Sequence, residues 1–320
     1  MKQQAGIGII LALTTAMCWG ALPIAMKQVL EVMAPPTVVF YRFLMASIGL
    51  GAILAIKGKL PPMRIFRKPR WLVLLAIATG GLFGNFILFS SSLQYLSPTA
   101  SQVIGQLSPV GMMVASVVIL KERMRGTQVV GALMLLSGLV MFFNTSLIEI
   151  FTRLTDYTWG VIFGVAAATV WVSYGVAQKV LLRRLASQQI LFLLYTLCTI
   201  ALLPLAEPGV ISRLSSWQLA CLIFCGLNTL VGYGALAEAM ARWQAAQVSA
   251  LITLTPLFTL LFSDLSLAWP DFFARPMLNL IGYLGAFVVV AGAMYSAIGH
   301  RLWGRWRKRE AVVPLPRSGE

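Results

Sequence analysis

Gln102, Gln106 and Pro109 lie at helical spacing inside an otherwise apolar run, and they are the first side chains here whose pattern carries chemistry. Two amides four residues apart share a helix face, and lipid would leave their polar groups without partners, so that face must meet protein or water. Pro109 withholds a backbone donor and frees a carbonyl one turn earlier, which makes it a candidate helix kink. Segment 246–256 repeats the pattern, with Ser108-Pro109 answered 147 residues later by Thr255-Pro256, so Pro256 is a second candidate kink.

Charged residues inside apolar runs form a second group, because each costs at least ~2.5 kcal/mol to insert and calls for a partner or a task. Arg42 could draw a carboxylate into a cavity, or it could snorkel or pair with Glu31. Glu238 and Asp264 are candidate proton-coupling groups, since low dielectric disfavours a charged carboxylate. Uncharged polar and aromatic residues deep in the runs form a third group. Trp19, Asn85, Gln102, Gln106, Trp171, Tyr174, Asn228 and Tyr233, together with Arg42, are the candidate substrate-pathway residues. Trp19 and Trp171 correspond in the two halves, and a ring pair facing one cavity would offer apolar area and two N–H donors. The open alternative is interhelical hydrogen bonding, about 0.6 kcal/mol per contact, with nothing bound. Gly80 with Gly84, and Gly160 with Gly164, are four apart and are read as sites of close helix approach.

Enzyme chemistry finds little support. His300 is the only histidine, and no HExxH, GxSxG or GxxxxGK[ST] occurs. Cys18, Cys198, Cys221 and Cys225 fall in apolar runs without a CxxC, so no metal, cofactor or catalytic residue is expected. An intramembrane enzyme built on carboxylates, or a lipid scramblase with a lipid-open groove, is the alternative reading. A channel would require repeated polar rings, and none is visible.

The elements that must position these groups are membrane helices. The chain has 59% hydrophobic and 11% charged residues over 320 positions, and its mean hydropathy is +0.84. These values lie outside the soluble globular range. The net charge of +15 sits in short blocks between apolar runs, which speaks for membrane topology and against a nucleic-acid partner. Ten candidate spans of the length that crosses a ~30 Å hydrocarbon core run over 6–29, 36–56, 71–93, 98–120, 127–144, 158–181, 187–205, 217–241, 246–268 and 277–299. With a cytoplasmic N-terminus, only Arg153, Arg213 and Arg275 fall outside, Lys27 and Arg42 lie in or near the membrane, and every other Lys and Arg is cytoplasmic. Both termini are then cytoplasmic.

Trp19 meets Trp171 and Lys27 meets Lys179 at an offset of 152, while Trp71 meets Trp217 and Gly80 meets Gly226 at 146. The expected organisation is an all-α polytopic membrane protein: a first five-helix repeat over 1–150, a second over 151–300, and a basic, mobile cytoplasmic tail over 301–320. Five spans per repeat force the second copy to enter from the opposite side, an inverted repeat around a central cavity.

Trp19-Gly20 followed by Pro23 and Lys27, Tyr41-Arg42-Phe43, and Leu120-Lys121-Glu122-Arg123 after Pro109 together resemble the EamA-type members of the drug/metabolite transporter superfamily over nearly the whole chain. The resemblance implies ten helices in two inverted five-helix repeats around a central cavity. It also implies a bacterial inner-membrane secondary transporter that exports or exchanges a small metabolite, such as an amino acid, by alternating access. The chain departs from the family pattern at 263–270, where Ser263-Asp264 and Trp269-Pro270 stand in place of a repeated glutamate motif.

Overall fold

The computed structural model describes residues 5–62, 68–119, 126–243, 245–265 and 278–310. The Leu120–Arg123 motif and most of the divergent 263–270 segment lie outside them. The described chain is helical throughout: α1 (Ala5–Leu30), α2 (Pro35–Ile56), α3 (Pro69–Tyr95), α4 (Pro98–Gly105), α5 (Leu107–Val118), α6 (Gly126–Phe142), α7 (Leu147–Thr152), α8 (Asp156–Leu181), α9 (Ser187–Leu202), a 3₁₀ turn (Pro208–Arg213), α10 (Ser216–Arg242), α11 (Ala245–Ile252), α12 (Thr255–Leu265) and α13 (Leu280–Glu310).

Local chemistry sets these boundaries. Pro35 and Pro69 open α2 and α3 at positions where a missing N–H costs nothing. Ser97 and Thr155 cap α4 and α8 through their hydroxyls, and Ser215 with Gln218 forms a capping box on α10. Gly58, at φ 59°, ends α2 in the left-handed region. The helix α13 continues to Glu310, through the first half of the basic tail. Its Arg, Trp, Lys and Glu residues are compatible with a helix, and the first proline after His300 is Pro314.

Among the described residues seven helices are long and apolar enough to cross a membrane, and Gly126–Phe142 and Ser187–Leu202 are shorter apolar helices. The fourth expected span is broken in two. Pro109 cannot donate to the Gly105 carbonyl four residues back, and the helix parts there, at Gln106, whose N–H turns to Val103 O at 3.2 Å. Pro256 acts likewise, and a break at Thr253-Leu254 separates α11 from α12. The Ile252 carbonyl that Pro256 leaves without its helical donor accepts from the Thr255 hydroxyl at 2.6 Å.

The outer surface is apolar, with Ile10, Ile48, Leu133 and Phe287 all exposed. That is the pattern of helices facing lipid, so burial of apolar surface does little to hold them together and close packing does more. The most extensive pairings are α6 with α13, α3 with α8, and α1 with α10, followed by α2 with α9. Glycines let α6 and α13 touch backbone to backbone. A methyl group on Gly131 would lie 2.6 Å from Gly292 O, and one on Gly138 would lie 2.6 Å from Val289 N. Gly84, Gly160 and Gly164 do face neighbouring side chains closely, whereas Gly80 has nothing within 4 Å and the contact is made by Gly81 against Tyr174.

Candidate functional site

A cavity of about 960 Å³ lies between the helices, walled by α1 to α6 and α8 to α13. Arg42, Asn85, Phe86 and Phe89 lie toward one end of it, and Gln128, Gln178, Leu182, Ser187 and Met240 reach the other. That second set sits near the helix ends joined by the basic connections, the end at which α1 begins.

The opposite end is crossed by hydrogen bonds between helices. Lys27 Nζ donates to Leu96 O at 2.5 Å, a cation on the C-terminus of α3. Trp217 Nε1 donates to Gln28 Oε1 and Gln218 Nε2 to Gln28 O, each at 3.3 Å. The Tyr41 hydroxyl donates to Pro208 O at 2.8 Å, and Glu207 N donates to Thr37 Oγ1 at 3.1 Å. The Gln28, Tyr41 and Thr37 contacts tie α1 and α2 to the 3₁₀ turn and α10.

All nine side chains singled out as pathway candidates stand on the wall of this one cavity: Trp19, Arg42, Asn85, Gln102, Gln106, Trp171, Tyr174, Asn228 and Tyr233. Pro109 is on the wall too. Pro256 is not among the wall residues, although Thr255 beside it is. Glu238 and Asp264 are also absent from the described wall. Glu238 is exposed and pairs with Arg242 at 2.9 Å, one turn along α10, and Asp264 shares a hydrogen bond with Tyr283.

Three of the four candidate amides use their N–H groups across helices. Asn85 Nδ2 donates to Ala167 O at 3.0 Å, Gln102 Nε2 to Trp19 O at 2.8 Å, and Asn228 Nδ2 to Cys18 O. The Gln102 bond has a specific cause. Pro23 lies four residues after Trp19 in α1 and cannot donate to its carbonyl, so Gln102 supplies the missing donor. The Thr259 hydroxyl donates to the next carbonyl, Gly20 O, at 2.9 Å. Three successive carbonyls about one turn before Pro23 in α1 therefore receive donors from α10, α4 and α12.

The aromatic groups pair locally. Trp19 lies against Tyr233, ring centres 5.1 Å apart, and Trp171 against Tyr174 at 5.9 Å, so the two tryptophans share the cavity but each has a tyrosine for its partner.

Arg42 is the one charged side chain on the described wall. It is 3% exposed, and Glu31, its candidate partner from sequence, instead accepts from Gln28 Nε2 at 3.3 Å. The guanidinium lies over the Phe86 ring, 4.5 Å from its centre, donates from Nε to Thr229 Oγ1 at 3.3 Å, and contacts Met26 Sδ through Nη1 at 3.3 Å. The Thr229 hydroxyl proton is given to Cys225 O at 2.9 Å, so its oxygen is turned to accept from Arg42. In the sequence Thr229 and Phe86 are ordinary membrane-helix residues, marked only by adjacency to Asn228 and Asn85.

A profile of the EamA-like transporter family matches the chain twice, over residues 6–144 and 158–297. The chain is 88% identical over its full length to a protein of Escherichia coli strain K12 named "Uncharacterized inner membrane transporter YhbE", which it also covers completely. It is 49% identical to an "Uncharacterized transporter" of Haemophilus influenzae, with 94% of this chain and 98% of that protein aligned. A crystal structure with 19% identity superposes at a TM-score of 0.62, covering 92% of this chain and 98% of that one, and so shares the fold. The chain belongs to the EamA-like transporter family, and it is a transmembrane protein of that family's two-copy plan.

Proposed function

We propose that this family member is a secondary carrier that exports or exchanges a small organic metabolite across the inner membrane by alternating access. The observation that supports the reading is the cavity itself, whose wall reaches the basic end of the bundle, while contacts between the two halves cross the other end. With the basic end cytoplasmic, as retention of Lys and Arg requires, both termini are cytoplasmic and the cavity faces inward.

Ten spans follow if the broken pairs α4–α5 and α11–α12 each count as one crossing and α6 and α9 as short ones. Two features support halves related by a two-fold axis, with boundaries near 150 and 300. Exchanging the halves carries the pair α1–α10 onto α8–α3 and each of α6–α13 and α2–α9 onto itself. Gly131 and Gly138 correspond to Gly285 and Gly292 at one offset of 154, and their contacts, 131 with 292 and 138 with 285, exchange under it. Five crossings per half then make the repeat inverted.

The nine wall residues form the substrate pathway, with the three amides serving both as interhelical ties and as wall. The two prolines shape breaks at which the crossing helices can bend. An intramembrane enzyme built on a carboxylate pair is disfavoured, because the described wall carries no carboxylate. The test is flux in proteoliposomes, with a panel of amino acids, organic acids and amines. Saturable movement of at least one member is expected. A panel without flux, alongside transbilayer movement of labelled lipid, would replace the carrier with a scramblase.

A further inference from the structure

We propose that the Arg42 end of the cavity binds the carboxylate of a monoanionic organic acid with a flat apolar body, and that the substrate needs no ammonium group. The proposal rests on the carrier reading above and narrows its substrate class.

Arg42 has five N–H donors. Among the described residues only Nε and Nη1 have partners, a threonine hydroxyl and a thioether. Among the described residues no carboxylate pairs with it, although a buried cation is costly unless paired. The Phe86 ring on its face and the Thr229 hydroxyl on Nε fix the plane of the guanidinium and leave donors of its fork unused. A planar fork of this kind fits a carboxylate through two parallel hydrogen bonds.

Charge counting selects among anions. The described wall has one cation and no carboxylate, so a dianionic phosphate would leave one charge uncompensated and a zwitterion's ammonium would find no opposite charge. The wall amides are neutral donors, and Asn85, Gln102 and Asn228 have each committed one of their two N–H groups to a backbone carbonyl, so Arg42 is the charged anchor for an anion. Trp19, Leu22, Phe86, Phe89 and Tyr233 share the wall with Arg42 and present rings and aliphatic surface to the rest of the ligand.

The experiment uses the full chain in lipid nanodiscs and radiolabelled 3-phenylpropanoate as probe. Competitors are phenylalanine, 3-phenylpropanamide, phenethylamine and phenyl phosphate. Expected are binding of 3-phenylpropanoate at least as tight as that of phenylalanine, and at least about tenfold tighter than that of the amide, the amine and the phosphate. Arg42→Gln should lose that preference. Thr229→Val, a variant of the positioning residue, should weaken 3-phenylpropanoate severalfold while leaving amide binding unchanged. Tighter binding of phenylalanine or phenethylamine, or an Arg42→Gln protein of normal elution profile with undiminished carboxylate binding, would overturn the proposal. Transport of a neutral or cationic compound without the acid would overturn the anion assignment and leave the carrier standing. Failure of every compound in both binding and flux would remove both.

Discussion

At the scale of single residues, the cavity wall is built from side chains that answer specific backbone defects. Gln102 supplies the donor that Pro23 denies to the Trp19 carbonyl. Replacing Gln102 with Leu should therefore cost about 1–2 kcal/mol, read as a lowered melting temperature in detergent. Pro23→Ala should relieve most of that loss, because residue 23 then donates to Trp19 itself, and an additive double variant would break the link. Lipid exclusion made Gln102, Asn85 and Asn228 legible as polar groups with business inside the bundle. Which carbonyl each would find was not legible, since a free carbonyl depends on a proline in another helix. Arg42 was legible as a charge out of place, whereas its setting of Thr229, Phe86 and Met26 depends on packing across α1, α3 and α10.

At the scale of elements, proline and glycine do most of the shaping. Pro109 and Pro256 marked the right spans, but the breaks lie upstream, at Gln106 and at Thr253-Leu254. The displacement follows from the hydrogen bond a proline removes, which belongs to a carbonyl one turn back. Glycine spacing was a poorer guide. The four-residue spacing of Gly80 and Gly84 predicts a packing pair, yet Gly80 faces open space, and backbone-to-backbone helix contact is made by glycines seven apart in α6 and α13. Helices apolar on all sides give no amphipathic stripe to say which face a glycine presents. Gly138→Leu should consequently lower stability by about 1–3 kcal/mol or prevent folding, while Gly80→Ala should leave the melting temperature unchanged. Equal behaviour of the two would contradict the α6–α13 contact.

At the scale of the whole molecule, charge decides sidedness and energy supply. A monoanion leaving a cell with a negative interior gains about 2.3 kcal/mol per 100 mV, enough to drive export without a coupled ion. A potassium diffusion potential across proteoliposomes should accordingly drive net movement of 3-phenylpropanoate toward the positive side, and an indifferent flux would require a compensating ion. Glu238 and Asp264 lie off the described wall, so Glu238→Gln and Asp264→Asn should each alter flux by less than about twofold, in keeping with the small worth of exposed ion pairs such as Glu238–Arg242. The helical plan and its two copies were readable from hydropathy and repeated landmarks. The ties across the end away from the basic connections were not, because they are hydrogen bonds between residues far apart in sequence, such as Tyr41 with Pro208. The most direct test of alternating access is a pair of spin-label distances in a cysteine-free background in lipid nanodiscs. One pair joins Val32 to Ile211 at the end crossed by these ties, and the other joins Ile56 to Leu182 at the basic end. Adding transported substrate should lengthen the first distance and shorten the second, whereas bound substrate with both distances unchanged would contradict a carrier that opens its two ends in turn.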